Sequence, residues 1–234
     1  MNEASALLLK LVLAHLITDF VLQPKSWVDS RNRKHFASGR LYLHGFITGL
    51  LAWILAGWQY WLVAITILLT HLLIDGWKSF REQTVRYFLI DQALHLLVIL
   101  GCWYFLFFNQ ADLLSAWDRI KLQSHIWKLL TAFVFITTPA GILIGQLTRQ
   151  WRDQIENAES LANAGKWIGI TERVIILIFV LQNQYAAIGL LIAAKGIIRF
   201  NEKDRPEIKT EYLVIGTLLS ICLAILAGLF VRVS

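Results

Sequence analysis

Three stretches of the chain pair an imidazole with a carboxylate at one fixed interval. His15 precedes Asp19 by four residues, His71 precedes Asp75 by four, and Asp91 precedes His95 by four. Residues four apart share a helix face, one turn from each other. Each stretch is otherwise apolar, so each predicts a helix that carries a His/carboxylate pair on a single stripe. His44 stands in a fourth apolar run. A carboxylate at the centre of a membrane helix costs roughly 2.5–3.5 kcal/mol on insertion scales, so it needs a partner or a task.

Imidazoles and carboxylates on facing helices are how helix bundles build metal sites. Neutral imidazole nitrogen and carboxylate oxygen suit a divalent transition metal, zinc foremost and manganese or iron next. The candidate ligands are His15, Asp19, His44, His71, Asp75, Asp91 and His95. They allow two metals with a bridging Asp, or one metal whose His ligands are each backed by a carboxylate. Asp19, Asp75 and Asp91 are also the candidate catalytic groups. Asp75 and Asp91 fall on consecutive helices joined by a short gap, which makes them neighbours able to bridge two ions or to act as base. The same seven groups could instead form a proton relay or a purely structural polar core. Repetition of the pair at one matched depth favours the metal.

Polar neighbours extend the stripe. Gln23, Lys25 and Trp27 follow the first pair, Lys78 follows the second, and Gln92 sits beside Asp91. Lys25 and Lys78 fall where a phosphate could be held at the mouth of a site; snorkelling to an interface explains them as well. Farther on, Glu172-Arg173 opens an apolar stretch, and Lys195 and Arg199, four apart, close the next. Those two bases could reach an anionic headgroup or serve as charge anchors.

The elements that must position these groups are set by composition. Hydrophobic residues make up 57% of the 234-residue chain and charged residues 16%, with 3 Pro and 2 Cys. A soluble protein carries about 45–50% apolar and about 25% charged residues. Disorder, a collagen repeat and a disulfide scaffold are excluded, and lipid is the expected solvent. The N-terminal run holds Glu3, His15 and Asp19 and no basic start, so it reads as a retained helix, not a signal peptide. The expected fold is all-α: a polytopic membrane bundle of about six full spans plus a re-entrant hairpin, or seven spans. The spans are expected at 4–22, 41–57, 58–77, 87–108, 126–147 and 212–231.

Four segments follow. Residues 1–108 form a four-helix core with the His/Asp cluster; 109–148 supply an extracytoplasmic loop and a fifth helix. Residues 149–166 read as an amphipathic interfacial helix stopped by Gly165, and 167–234 as a half-helix hairpin and the last span. Gln182-Asn183-Gln184 interrupts the penultimate apolar stretch. Basic residues Lys25, Arg31, Arg33, Lys34 and Arg40, and then Lys78, Arg81 and Arg86, mark two gaps as cytoplasmic. That places the N-terminus outside and all three carboxylates toward the cytoplasmic face, with His one turn deeper. A hairpin at 167–199 keeps five further bases inside, where a single span would export them. The +6 net charge is thus explained by orientation and lipid headgroups. No nucleic-acid motif or phosphate loop is present.

With AHLITDFVLQ at 14–23, His44, THLLIDGWK at 70–78 and DQALH at 91–95, the chain resembles the bacterial membrane family called domain of unknown function 3307. The later stretches AGKWIGITER, IAAKGIIRF and EYLVIGTLLS look like the extension of its longer members. The resemblance implies a bacterial inner-membrane position and no established activity. By analogy alone, the polar pattern is similar to that of membrane metal-dependent hydrolases, including the ceramidase-like zinc enzymes.

The expected function is a membrane-embedded metal-dependent hydrolase. Its metal, held by His15, His71, His95 and one or more of the carboxylates, would lower the pKa of a bound water to about 7. Its partners would be membrane lipids and an amphiphilic substrate at the cytoplasmic leaflet. A proton- or ion-coupled transporter and a non-catalytic scaffold are the alternatives. Cysteines introduced at 166 and 203 are expected to label from the same side of the membrane. Labelling from opposite sides would establish a single span instead of the hairpin.

Overall fold

The computed structural model describes residues 3–107, 125–154, 162–200 and 207–232. Every regular element among them is helical: α1 (Glu3–Phe20), α2 (Lys25–Lys34), α3 (Gly39–Ala56), α4 (Trp61–Lys78), α5 (Val85–Phe107), α6 (His125–Ile136), α7 (Thr138–Leu147), α8 (Arg149–Arg152), α9 (Ala162–Leu181), α10 (Tyr185–Phe200) and α11 (Glu207–Arg232). Short 3-10 turns at His35–Ala37 and Trp58–Tyr60 join α2 to α3 and α3 to α4. Four helices are long and apolar enough to cross a membrane, or up to six if each bent pair is one span. The chain divides into two compact units, Met1–Thr131 and Ala132–Ser234.

In the first unit α1 and α4 each pack on both α3 and α5, closing a ring of four helices. Leu7, Leu11, Ala52, Val63, Ile67 and Ile99 fill its centre, at least one from each helix. The closest approach is between α3 and α4. Gly45 and Gly49 on α3 face Leu72 and Leu68; a Cβ at Gly49 would fall 2.8 Å from that of Leu68. Glycines four apart let two helices touch along their backbones, the usual small-residue device of apolar bundles. The turn between these helices needs Gly57, whose φ of 118° suits a residue without a side chain. At the far end Trp103 Nε1 donates to the Ala4 carbonyl at 2.7 Å, tying α5 to α1.

The segment 24–40, expected as a polar gap, is largely helical. Pro24 stands at the N-cap of α2, and the polypeptide turns by 81° between α1 and the α2 segment. Val28, Arg31, Asn32 and His35 form its inward stripe, with Arg31 buried.

In the second unit the helix expected over 126–147 is bent by 44° between α6 and α7. Pro139 causes it, because proline gives no N–H and crowds the carbonyl four residues back. Arg173 on α9 compensates: Nε donates to the Ile136 carbonyl at 2.5 Å and Nη2 to that of Thr137 at 3.0 Å, while Nη1 reaches Ser220 Oγ on α11 at 3.3 Å. Helices α9 and α10 fold back on each other at Gln182–Gln184, where Asn183 takes a φ of 59°. Lys195 donates to Glu172 Oε1 at 2.5 Å, which requires the two helices to run antiparallel. Ile176, Val180, Ile188, Ile221 and Ala224 pack between α9, α10 and α11. The chain therefore turns back at 182–184 between two antiparallel helices.

Gly165 does not stop a helix. It lies in the first turn of α9, which runs on to Leu181. An internal glycine costs about 1 kcal/mol against alanine, little for a helix with many further turns to pack. The amphipathic segment expected over 149–166 is described only in α8 and in the start of α9; its middle, and the loop at 108–124, lie outside the described residues. Arg173→Met is expected to lower the unfolding free energy by about 1–3 kcal/mol, because it leaves the buried Ile136 carbonyl without its donor while the Thr137 carbonyl keeps only the Gly141 N–H at 3.4 Å. Thermal unfolding of the purified protein, compared with the solvent-facing Arg149→Met, checks this.

Candidate metal centre

The first unit brings all seven candidate ligands together. The 15/19 pair ends α1, the 71/75 pair ends α4 and the 91/95 pair begins α5. Because α4 and α5 are consecutive neighbours running in opposite senses, the reversed order on α5 puts all three carboxylates at the same end of the ring. His44 enters from the start of α3, one turn in. Each of the four imidazoles, and Asp75 and Asp91 with them, is no more than 4% exposed.

Two triads that include a carboxylate lie side by side, and a third group, His15, His71 and His95, shares a histidine with each. In the first, Asp19 Oδ1 is 3.5 Å from both His44 Nε2 and His71 Nε2, and those two nitrogens are 2.9 Å apart. In the second, His95 Nε2 is 3.6 Å from Asp91 Oδ1 and 3.9 Å from Asp75 Oδ1. Asp75 joins them: its Oδ1 faces His95, and its Oδ2 is 3.7 Å from His44 Nε2 and 3.8 Å from His71 Nε2. Asp91 lies in the second triad only, so its expected role as a bridge is not supported by this arrangement.

His15 closes the ring of contacts. Gln92 donates from Nε2 to Asp91 Oδ2 at 3.0 Å, since a carboxylate can only accept, and its Oε1 then accepts from His15 Nε2 at 3.2 Å. The His15 proton is thereby placed on Nε2, and its Nδ1 lone pair faces Asp19 Oδ1 at 3.5 Å. Lone pairs that converge in a buried site call for a cation between them, a proton or a metal.

Two side-chain cations supply part of that charge. Arg31 Nη1 approaches Asp75 Oδ2 to 2.5 Å, and Lys78 pairs with Asp91. The spacing of the His/Asp pairs gave no hint of Arg31, which reads as one more base in a cationic gap. Its one signal is a place in the 28/31/32/35 stripe of α2. Lys78, expected free at the mouth, is turned in toward Asp91. His35 was also missed: its Nδ1 lies 3.0 Å from Ser79 Oγ and its ring stacks on Phe80 at 4.0 Å. It fastens the α2–α3 corner to the end of α4.

The expected binding residues are divided. Gln92 is in the cluster; Gln23 is half-buried and Lys25 exposed at the α1–α2 corner. Lys195 belongs to the second unit and is engaged by Glu172, and the Arg199 side chain lies outside the described residues.

The donor set fits a transition metal. With metal–ligand bonds of about 2.0–2.1 Å, the ligand atoms of a tetrahedral zinc stand about 3.3 Å apart. The three separations among Asp19, His44 and His71 bracket that value, and three protein ligands leave one coordination position open, as catalytic zinc requires. The second triad supplies orphaned atoms: Asp91 Oδ1 and His95 Nε2 are buried with no hydrogen-bond partner. Buried polar atoms are rarely left so, and a small ligand is a common reason.

Residues 7–124 match the model of the family described as protein of unknown function (DUF3307), and the chain belongs to that family. No curated protein matches the chain, and no solved structure does.

Asp75→Asn leaves the buried Arg31 guanidinium unpaired, at a cost of about 3–5 kcal/mol. Arg31→Gln combined with Asp75→Asn is expected to recover at least half of the loss. Additive losses in a double-mutant cycle would show that the two side chains are not coupled.

Proposed function

We propose that the chain is a membrane-embedded, metal-dependent hydrolase, multi-pass in a bacterial inner membrane, that acts on an amphiphilic substrate at the cytoplasmic leaflet. The observation that carries the reading is the buried Asp19/His44/His71 triad, with ligand separations of 2.9–3.5 Å beside a second His/carboxylate triad. The membrane setting is supported by the ring's outer face, where Leu62, Leu69, Leu73 and Leu97 are each more than half exposed. Contiguous apolar surface of that kind suits lipid or a partner, not water. Orientation follows the basic residues at the carboxylate end, which favour the cytoplasm.

The cluster sets three carboxylates against two side-chain cations, Arg31 and Lys78. Asp19, His44 and His71 would hold the ion; His15, His71 and His95, the imidazoles expected from the sequence, also bring one ligand atom each within 4.8 Å of one another. When bound, the metal supplies an activated water and polarises the substrate oxygen. His95, between Asp75 and Asp91 with Nε2 uncommitted, is placed to take a proton from a nucleophile and return it to a leaving group. Asp75 keeps that imidazole oriented, and Arg31 holds Asp75 in place. Gln92 holds His15 in one tautomer, turned to Asp19.

A proton- or ion-conducting path is the second reading. It draws on the His44–His71 contact and the Arg31–Asp75 and Lys78–Asp91 pairs, which would satisfy most charges without a metal. Elemental analysis of the purified chain separates the two. About one zinc, manganese or iron per chain is expected in the wild type, falling at least tenfold in His44→Ala and Asp19→Asn. Metal-free wild type with pH-dependent flux in liposomes would replace the hydrolase with the transporter.

A further inference from the structure

Among the described residues, no open way leads into the cluster. The four imidazoles, Asp75 and Asp91 are each at most 4% exposed, and the Asp19 side chain is 7% exposed. Thr48, Ala52, Ile67 and Ile99 line a cavity beyond the histidines that is no larger than one water needs. A substrate, or an ion with its water, therefore reaches the cluster only when an element around it moves. The ring helices α1, α3, α4 and α5 share one apolar core, so displacing any of them would open that core to the surroundings.

The α2 helix is attached differently. Arg31 is its one buried residue, and Trp27 and Val28 are only half-buried. Local opening is easiest where little apolar surface is buried, and lids are drawn from such segments. The seam between α2 and the ring is polar: Arg31 reaches Asp75, Ser30 Oγ meets Ser38 Oγ at 3.0 Å, and Arg40 lies 5.7 Å from the centre of the Trp27 ring. That seam is also incompletely satisfied. Arg31 Nε and Asn32 Oδ1 are buried with no hydrogen-bond partner, which disfavours the closed arrangement, since water would satisfy both atoms on opening. Each end of α2 is a corner. The chain turns by 81° around Pro24, and His35 takes a φ of 50°, uncommon for a residue other than glycine. The second corner is pinned to α4, because His35 Nδ1 lies 3.0 Å from Ser79 Oγ and the Phe36 ring sits against Gly76. Rolling α2 about these two corners withdraws Arg31 from Asp75 and leaves the ring intact.

We propose that α2 is a strap across the carboxylate end of the cluster, latched by Arg31 on Asp75, and that the cluster is reached when the strap lifts. The proposal rests on the hydrolase reading for what enters, and supplies its gating step: the open strap admits substrate and water, and the closed strap excludes bulk water from the site. Arg31 is thus a latch as well as the partner of Asp75, which explains why a buried guanidinium comes from the one polar helix beside the ring.

The test reads the strap without a substrate. In the full chain in lipid nanodiscs, with Cys102 and Cys222 replaced by Ser, Thr48→Cys places a thiol on the cavity wall at a position 1% exposed. Its modification by a charged, water-soluble methanethiosulfonate is followed by mass spectrometry. Ser30→Cys with Ser38→Cys adds a disulfide across the seam, at a pair whose hydroxyl oxygens already stand 3.0 Å apart. The bridged protein is expected to be modified at least ~10-fold more slowly than the same protein after reduction and removal of the reductant. Arg31→Gln with Asp75→Asn removes the latch without leaving a buried charge, and is expected to speed modification about 10-fold, the scale of one charge-assisted hydrogen bond. Equal rates in bridged and reduced protein, or no modification in either, would overturn the strap. Where the bridge does not form, equal rates with and without the latch substitutions would overturn it. Metal content, measured on the same samples, keeps the two readings apart. Bridge-sensitive modification in protein that holds no metal would support the strap and remove the hydrolase reading; retained metal with a rate indifferent to the bridge would do the reverse.

Discussion

Three carboxylates buried in an apolar helical ring must each be met by a positive charge or a proton donor. That requirement explains features that would otherwise be unrelated. Asp75 draws Arg31 in from a helix outside the ring, and the 81° turn after α1 exists to deliver it. Asp91 takes Lys78 and the Gln92 amide. Among the described residues no Lys or Arg pairs with Asp19, which is ringed by His15, His44 and His71. A fully desolvated carboxylate without compensation would cost several kcal/mol, comparable with the net stability of a whole domain. The place with most imidazole and least fixed positive charge is thus Asp19, which is where a metal has most to offer.

Packing serves the same end. Gly45 and Gly49 bring α3 against α4, and the residue beside Gly45 is His44. Without that close approach the His44 and His71 nitrogens could not meet at 2.9 Å. The second unit obeys the same rule on a smaller scale. The break between α6 and α7 leaves the Ile136 carbonyl outside the helical ladder, and Arg173 is buried to satisfy it, while Glu172 and Lys195 neutralise each other between α9 and α10.

Much of this was legible in the sequence. The four-residue interval, its reversal on the fourth apolar run, and the cost of an apolar-run carboxylate were enough to assign His15, Asp19, His44, His71, Asp75, Asp91 and His95 to one cluster. The turn at 182–184 falls where Gln182-Asn183-Gln184 interrupts an apolar stretch. What escaped was long-range partner choice. Nothing in the spacing of Arg31 distinguishes it from Arg33 or Lys34; only the helical stripe of α2 and the turn at Pro24 select it. Lys78 was read as a free base because its partner lies across a turn of the chain. Gly165 was read as a stop because glycine often ends helices, whereas the apolar run beyond it carries the helix on. Pro139 stands in the sequence inside an apolar run that is otherwise long enough for one continuous span, and the 44° bend falls there.

The central claim is that Asp19, His44 and His71 form a coordination sphere. X-ray absorption at the metal edge of the purified protein tests it most directly. The account predicts a stoichiometric ion with nitrogen and oxygen ligands at about 2.0–2.1 Å and multiple scattering from two imidazoles, lost in His44→Ala. A spectrum with no bound ion, or one unchanged by His44→Ala, would contradict it.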